Sequence, residues 1–137
     1  MKVGIIAGSF DVMHPGYTYM FIEACRVCDK LVVALHTDPS IERPEKIPPI
    51  LSVSDRRLML SSLRGVDNII EYAYEHQLES IIRDVKPQIR FLGDDSKNRI
   101  DYTGFGLCPE VYYFDRSHNW SATKFKTLIY NQMKETK

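Results

Sequence analysis

The sequence predicts an α/β domain, doubly wound around a five-stranded parallel sheet. Three observations carry that prediction. Five short apolar runs alternate with segments of helical periodicity along the 137 residues. The first run, Val3 to Ala7, meets glycine at Gly8, and a helix opens soon after with Pro15 in its first turn. The loops richest in charge and small residues fall after strands one, two, four and five. That is the carboxyl end of the sheet, where open α/β folds bind ligands.

Each element has its own signal. Val3 to Ala7 is too short to span a membrane and suits a buried strand. In the helix that follows, Tyr17, Met20, Phe21, Ala24, Cys25 and Cys28 recur on one apolar face. Leu31 to Leu35 is the second strand, so the first three elements form a βαβ unit. A proline-rich, charged loop then runs from His36 to about Pro49, long enough to serve as a lid. Ser52 or Ser54 caps a helix carrying Arg56, Leu60, Leu63 and Arg64, with Gly65 as its C-cap. Asn68 to Tyr72 is the third strand, and Glu75 to Val85 a helix ended by Pro87. Ile89 to Leu92 is the fourth strand, broken by Gly93-Asp94-Asp95. Residues 96–109 read as irregular, and Glu110 to Phe114 as the fifth strand. A closing helix runs from Ser121 to about Glu135, with Phe125, Leu128, Ile129 and Met133 inward.

Size and charge narrow the function. The length fits one domain, residues 1–137, with a sizeable core. Eighteen basic residues balance eighteen acidic ones, which gives no broad electrostatic case for nucleic acid or an anionic membrane. The N-terminus lacks a signal-peptide pattern, so a cytoplasmic protein is expected. Cys25 and Cys28 form a Cys-x-x-Cys pair, but helical periodicity explains both as core, and a thiol-redox role is a distant alternative.

The chemistry concentrates in Gly8-Ser9-Phe10-Asp11 and His14-Pro15-Gly16-Tyr17. A strand that ends in glycine before a helix N-terminus is a ready phosphate site. Small residues admit the anion to backbone N–H groups, and the helix dipole favours negative charge. His14 stands where an imidazole could donate to a phosphate oxygen.

These residues resemble the signature of the HxGH nucleotidyltransferases, and within them the small cytidylyltransferases. Gly8-Ser9-Phe10-Asp11, His14 and Gly16 fit, while Tyr17 replaces the second histidine. The resemblance continues through Thr37-Asp38, Lys46, Arg64-Gly65-Val66-Asp67, Gly93-Asp94-Asp95 and Arg116 to Thr123. Asn119, Trp120 and Ala122 depart from the last motif. The fold implied is Rossmann-like. The reaction implied is attack by a phosphate monoester on the α-phosphorus of CTP, with pyrophosphate leaving.

Such a reaction needs positioned cations more than a general base. The resemblance gives His14, Lys46 and Arg116 catalytic roles. It assigns nucleotide binding to Gly8, Ser9, Phe10, Asp11, His14, Gly16 and Tyr17, and to Gly93, Asp94, Arg116, Ser121 and Thr123. Thr37, Asp38 and Arg64 are candidates for the acceptor, a small phosphorylated alcohol or sugar. Asp11 is a candidate ligand for magnesium (Mg2+), which prefers oxygen and usually rides on substrate phosphates. A homodimer is expected from the resemblance. Two alternatives stand beside this reading: a nucleotide-binding protein whose catalysis Tyr17 has impaired, and an adenylyltransferase using ATP.

Overall fold

A computed structural model describes residues 1–136. Its five strands are β1 (Val3–Gly8), β2 (Lys30–His36), β3 (Val66–Tyr72), β4 (Ile89–Gly93) and β5 (Glu110–Phe114). The helices are α1 (Pro15–Val27), α2 (Val53–Ser61), α3 (Glu75–Val85) and α4 (Ala122–Glu135), with a short 3₁₀ turn at Asp94–Ser96. All strands pair in parallel, in the order β3-β2-β1-β4-β5. The order reverses between β1 and β4, which places the topological switch point at the end of β1.

The sheet is buried on both faces, as parallel pairing requires. On one face Phe21 and Ala24 of α1, Cys28 at its C-cap and Leu60 of α2 meet Leu31, Val33, Phe91 and Phe114. On the other, Leu78 and Ile82 of α3 meet Ile5, Val32, Ala34 and Tyr72. β1 and β2 lie in the middle and read as near-continuous apolar runs for that reason.

Three expectations change. α2 stops at Ser61, so Leu63 and Arg64 fall in the turn beyond it. The Ser61 and Ser62 hydroxyls donate back to Leu58 O and Met59 O, offering the chain an alternative to another helical turn. Gly65 then takes φ +87°, a left-handed value that suits glycine. Cys25 is exposed, and only Cys28 of that pair joins the core. On α4, Phe125 is half-buried, but Leu128, Ile129 and Met133 are 48%, 45% and 62% exposed. Phe91 and Phe114 stack at 5.3 Å beneath the α1 cluster, and the apolar stripe beyond Phe125 does not join that core.

Candidate active site

A cleft of about 440 Å³ opens at the carboxyl ends of β1, β4 and β5. It gathers Gly8, Ser9, Phe10, His14, Gly16 and Tyr17 from the first turn, with Gly93, Arg116 and Ser121 across from them. Lys46 reaches it from the long loop.

His14 is built into the start of α1. It caps the helix: its Nδ1 accepts a hydrogen bond from Gly16 N at 3.1 Å. With Nδ1 an acceptor, the proton of the neutral ring belongs on Nε2. That Nε2 is buried and has no partner, a donor held in readiness beside the cleft. Burial, with His118 and Arg116 adding to it, holds the imidazole pKa below its usual value and keeps the ring neutral. Gly16 is required here by space: a Cβ would stand 2.8 Å from His14 Cε1 and 2.9 Å from Trp120 Cβ.

Tyr17 stacks on His14 with ring centroids 4.1 Å apart, and also packs on Phe10. Burial, reinforced by Asp11, raises its hydroxyl pKa, so it offers a neutral O–H to the cleft. Phe10 adopts φ 47°, which turns its ring inward beneath Gly8. Arg116 passes over Gly93, where a Cβ would lie 2.8 Å from its Cδ, and its guanidinium stands 3.7 Å from Asp95.

Several expected residues support the cleft from outside it. Asp11 is buried, and its two oxygens accept from Ile50 N at 2.8 Å and Leu51 N at 2.9 Å, with Lys126 Nζ at 2.7 Å. Burial pushes its carboxyl pKa up, but Lys126 and the two backbone donors outweigh that and lower it. A carboxylate so engaged does not fit the expected magnesium ligand. No group of three His, Cys, Asp or Glu able to hold a metal occurs among the described residues. Asp94 accepts from Arg116 N at 3.1 Å and so fixes the loop after β5. Thr123 sits on the first turn of α4, exposed, outside the cleft lining.

The three acceptor candidates are not brought to one place. Asp38 turns onto Ser40, accepting from its N and Oγ. Thr37 binds through its backbone, N to Tyr72 O and O from Arg56. Arg64 precedes β3, at the amino end of the strands and away from both Gly8 and Gly93. That placement sets it apart from the cleft. The Arg-Gly-Val-Asp segment instead serves the sheet, with Asp67 accepting from Leu31 N.

Arg56 is the residue that sequence reasoning passed over. It lies on α2, 2% exposed, and donates to Leu51 O, Ser9 O, His36 O and Thr37 O. It thus ties the ends of β1 and β2 to the foot of the long loop. Nothing in its helical spacing marks it, since an arginine on an amphipathic helix reads as solvated. Lys126 was equally silent, and Trp120 showed only as a departure from the last motif.

A parallel sheet with a buried, unpartnered imidazole nitrogen and two cationic side chains at its switch point is an α/β architecture suited to phosphate. The cytidylyltransferase-like family model matches residues 5–125, and the chain belongs to that family of nucleotidyltransferases. Bifunctional protein HldE of Paramagnetospirillum magneticum is 38% identical over 95 residues, 69% of this chain and 19% of that protein. FAD synthase of Aciduliprofundum boonei is 37% identical over 90 residues, 66% of this chain and 59% of the synthase. The chain thus matches about a fifth of the HldE proteins' length. The lipopolysaccharide core biosynthesis protein of Thermoplasma volcanium superposes with a TM-score of 0.64 at 28% identity. That match covers 84% of this chain and 99% of the other.

Proposed function

We propose that this chain transfers a nucleotidyl group from a nucleoside triphosphate to a small phosphate monoester. The observation that carries the reading is His14 Nε2, a buried and unpartnered donor beside a cleft that also holds Lys46 and Arg116. An acceptor phosphate oxygen forms a bond to the α-phosphorus, the bond from that phosphorus to the β-phosphate bridge oxygen breaks, and pyrophosphate leaves. The acceptor is already ionised near neutral pH, so the protein supplies position and charge. His14 donates to a phosphoryl oxygen, Arg116 offers a planar fork, and Lys46 a mobile point charge. The magnesium expected with such nucleotides would arrive on their phosphates as part of the substrate.

The resemblance in the motifs favours CTP as donor. A second reading, ATP, is favoured by the relative named FAD synthase, whose product contains an adenylyl group. Pyrophosphate release with magnesium, measured for CTP and ATP separately against a panel of phosphate monoesters, tests both. His14→Ala should lower kcat by about 10²–10³, the usual cost of one preorganised donor. Nucleotide binding by calorimetry without release would instead support the binding-protein alternative, with Tyr17 as the reason. Absence of both would overturn the proposal. A homodimer belongs to the same reading, supported by the exposed Leu128, Ile129 and Met133 on α4.

A further inference from the structure

We propose that Arg90 recognises a second anionic group, a carboxylate or a further phosphate, on the acceptor. This rests on the nucleotidyl-transfer reading and specifies its substrate class. A second cleft, of about 520 Å³, opens beside the first at the carboxyl end of the sheet. The two share Ala7, Gly8, Ser9 and Lys46, so they meet along the end of β1. A donor nucleotide in the His14 cleft and an acceptor in the other would place their phosphates at that shared edge.

Charge accounting within the second cleft points to the acceptor's nature. Four cationic side chains line it: Arg43, Lys46, Arg90 and Arg99. Glu75 faces Arg43 at 3.4 Å, and Asp101 faces Arg99 at 2.9 Å. Among the described residues Lys46 and Arg90 have no carboxylate within salt-bridge distance. Lys46 belongs to the edge that both clefts share and is placed for the reacting phosphates. Arg90, whose walls belong to the second cleft alone, is left for a different anion.

The surroundings of Arg90 are those of a built site. It interrupts the apolar run of β4 between Ile89 and Phe91 and is only 5% exposed. Its Nη1 donates to Thr103 O at 2.7 Å, and its guanidinium lies 5.5 Å from the Tyr102 ring centre. Its Nε is buried without a partner. A buried cation with one carbonyl and one ring face is poorly compensated. Tethering Thr103 alone would need only a neutral donor. With Nη1 committed, the Nε–Nη2 edge remains, and that edge binds a carboxylate or phosphate through two parallel hydrogen bonds.

Calorimetry on the full chain, with nucleotide present, tests this with matched pairs. One pair is 3-phosphoglycerate and glycerol 3-phosphate; the other is fructose 1,6-bisphosphate and fructose 6-phosphate. The doubly anionic member of at least one pair should bind tenfold tighter or more, and the preferred pair tells carboxylate from phosphate. Arg90→Leu should erase the preference and leave nucleotide affinity within twofold, with Arg90→Lys keeping part of it. Should Arg90→Leu fail to fold by circular dichroism, Arg90→Lys and the wild-type pairs decide. Equal affinity within both pairs, or a preference surviving in a folded Arg90→Leu protein, overturns the proposal. So does failure of every doubly anionic probe to bind. Loss of nucleotide binding by the wild type would bring down the transfer reading itself, a separate and visible result.

Discussion

His14 uses its two ring nitrogens for different tasks, and the capping one depends on its being neutral. Nδ1 accepts from Gly16 N, and Nε2 keeps the proton it can donate. Protonation would turn Nδ1 from acceptor to donor against another donor, costing a helix cap worth about 1 kcal/mol. The histidine pKa is lowered in the folded chain, chiefly by burial. Its contribution to stability is therefore complete above the ordinary value of 6.5 and is lost as pH falls below it toward the folded value. Thermal melts between pH 5 and 8 should show this loss, and it should vanish in His14→Ala. Turnover should decline over the same range. Tyr17 is the other distinctive residue at this site: it supplies stacking on His14 and a neutral hydroxyl.

Among the elements, the loop between β2 and α2 is the one whose construction matters most. It carries Lys46 at an exposed position, yet its two feet are fixed. Arg56 binds the carbonyls of His36 and Thr37 at one foot and Leu51 at the other. Asp11 binds the N–H groups of Ile50 and Leu51 and joins them to Lys126 on α4. Asp11→Asn removes the charge from this junction and should destabilise the chain by about 2 kcal/mol, the scale of hydrogen bonds to a charged group. A shift in the urea midpoint with unchanged slope would show it. The Asp11 pKa is depressed, so its contribution is present above pH 3.8 and is lost as pH falls through the lower folded value. None of this was legible in the sequence. The Gly8 to Asp11 turn announced a phosphate site, but a carboxylate's partners lie 39 and 40 residues along the chain, where no local pattern records them. The Arg56 clamp was hidden for the same reason.

At the scale of the whole molecule, what was legible is what periodicity and turn chemistry dictate. Five apolar runs gave five parallel strands, and α3 and β5 fall on the residues the pattern marked. Gly8, His14, Lys46, Gly93 and Arg116 converge because a parallel sheet collects its carboxyl-end loops. Arg64 does not join them, because a motif match does not say at which end of a strand it lies. The inward face of α4 failed because periodicity shows that a helix is amphipathic but not what covers it. A second copy of the chain is the occupant expected from the family resemblance. Sedimentation should show a dimer that Leu128→Asp with Met133→Asp converts to monomer, while a monomeric wild type would remove that expectation.

Trp120 is the chain's single tryptophan, and its indole lies nearly parallel to the His14 ring with centroids 6.3 Å apart. Any light the protein emits on indole excitation therefore originates beside the His14 imidazole. A charged imidazolium withdraws electrons from an excited indole more readily than a neutral ring does. The chain thus carries its own optical probe, one that reports the proton on His14 without any label.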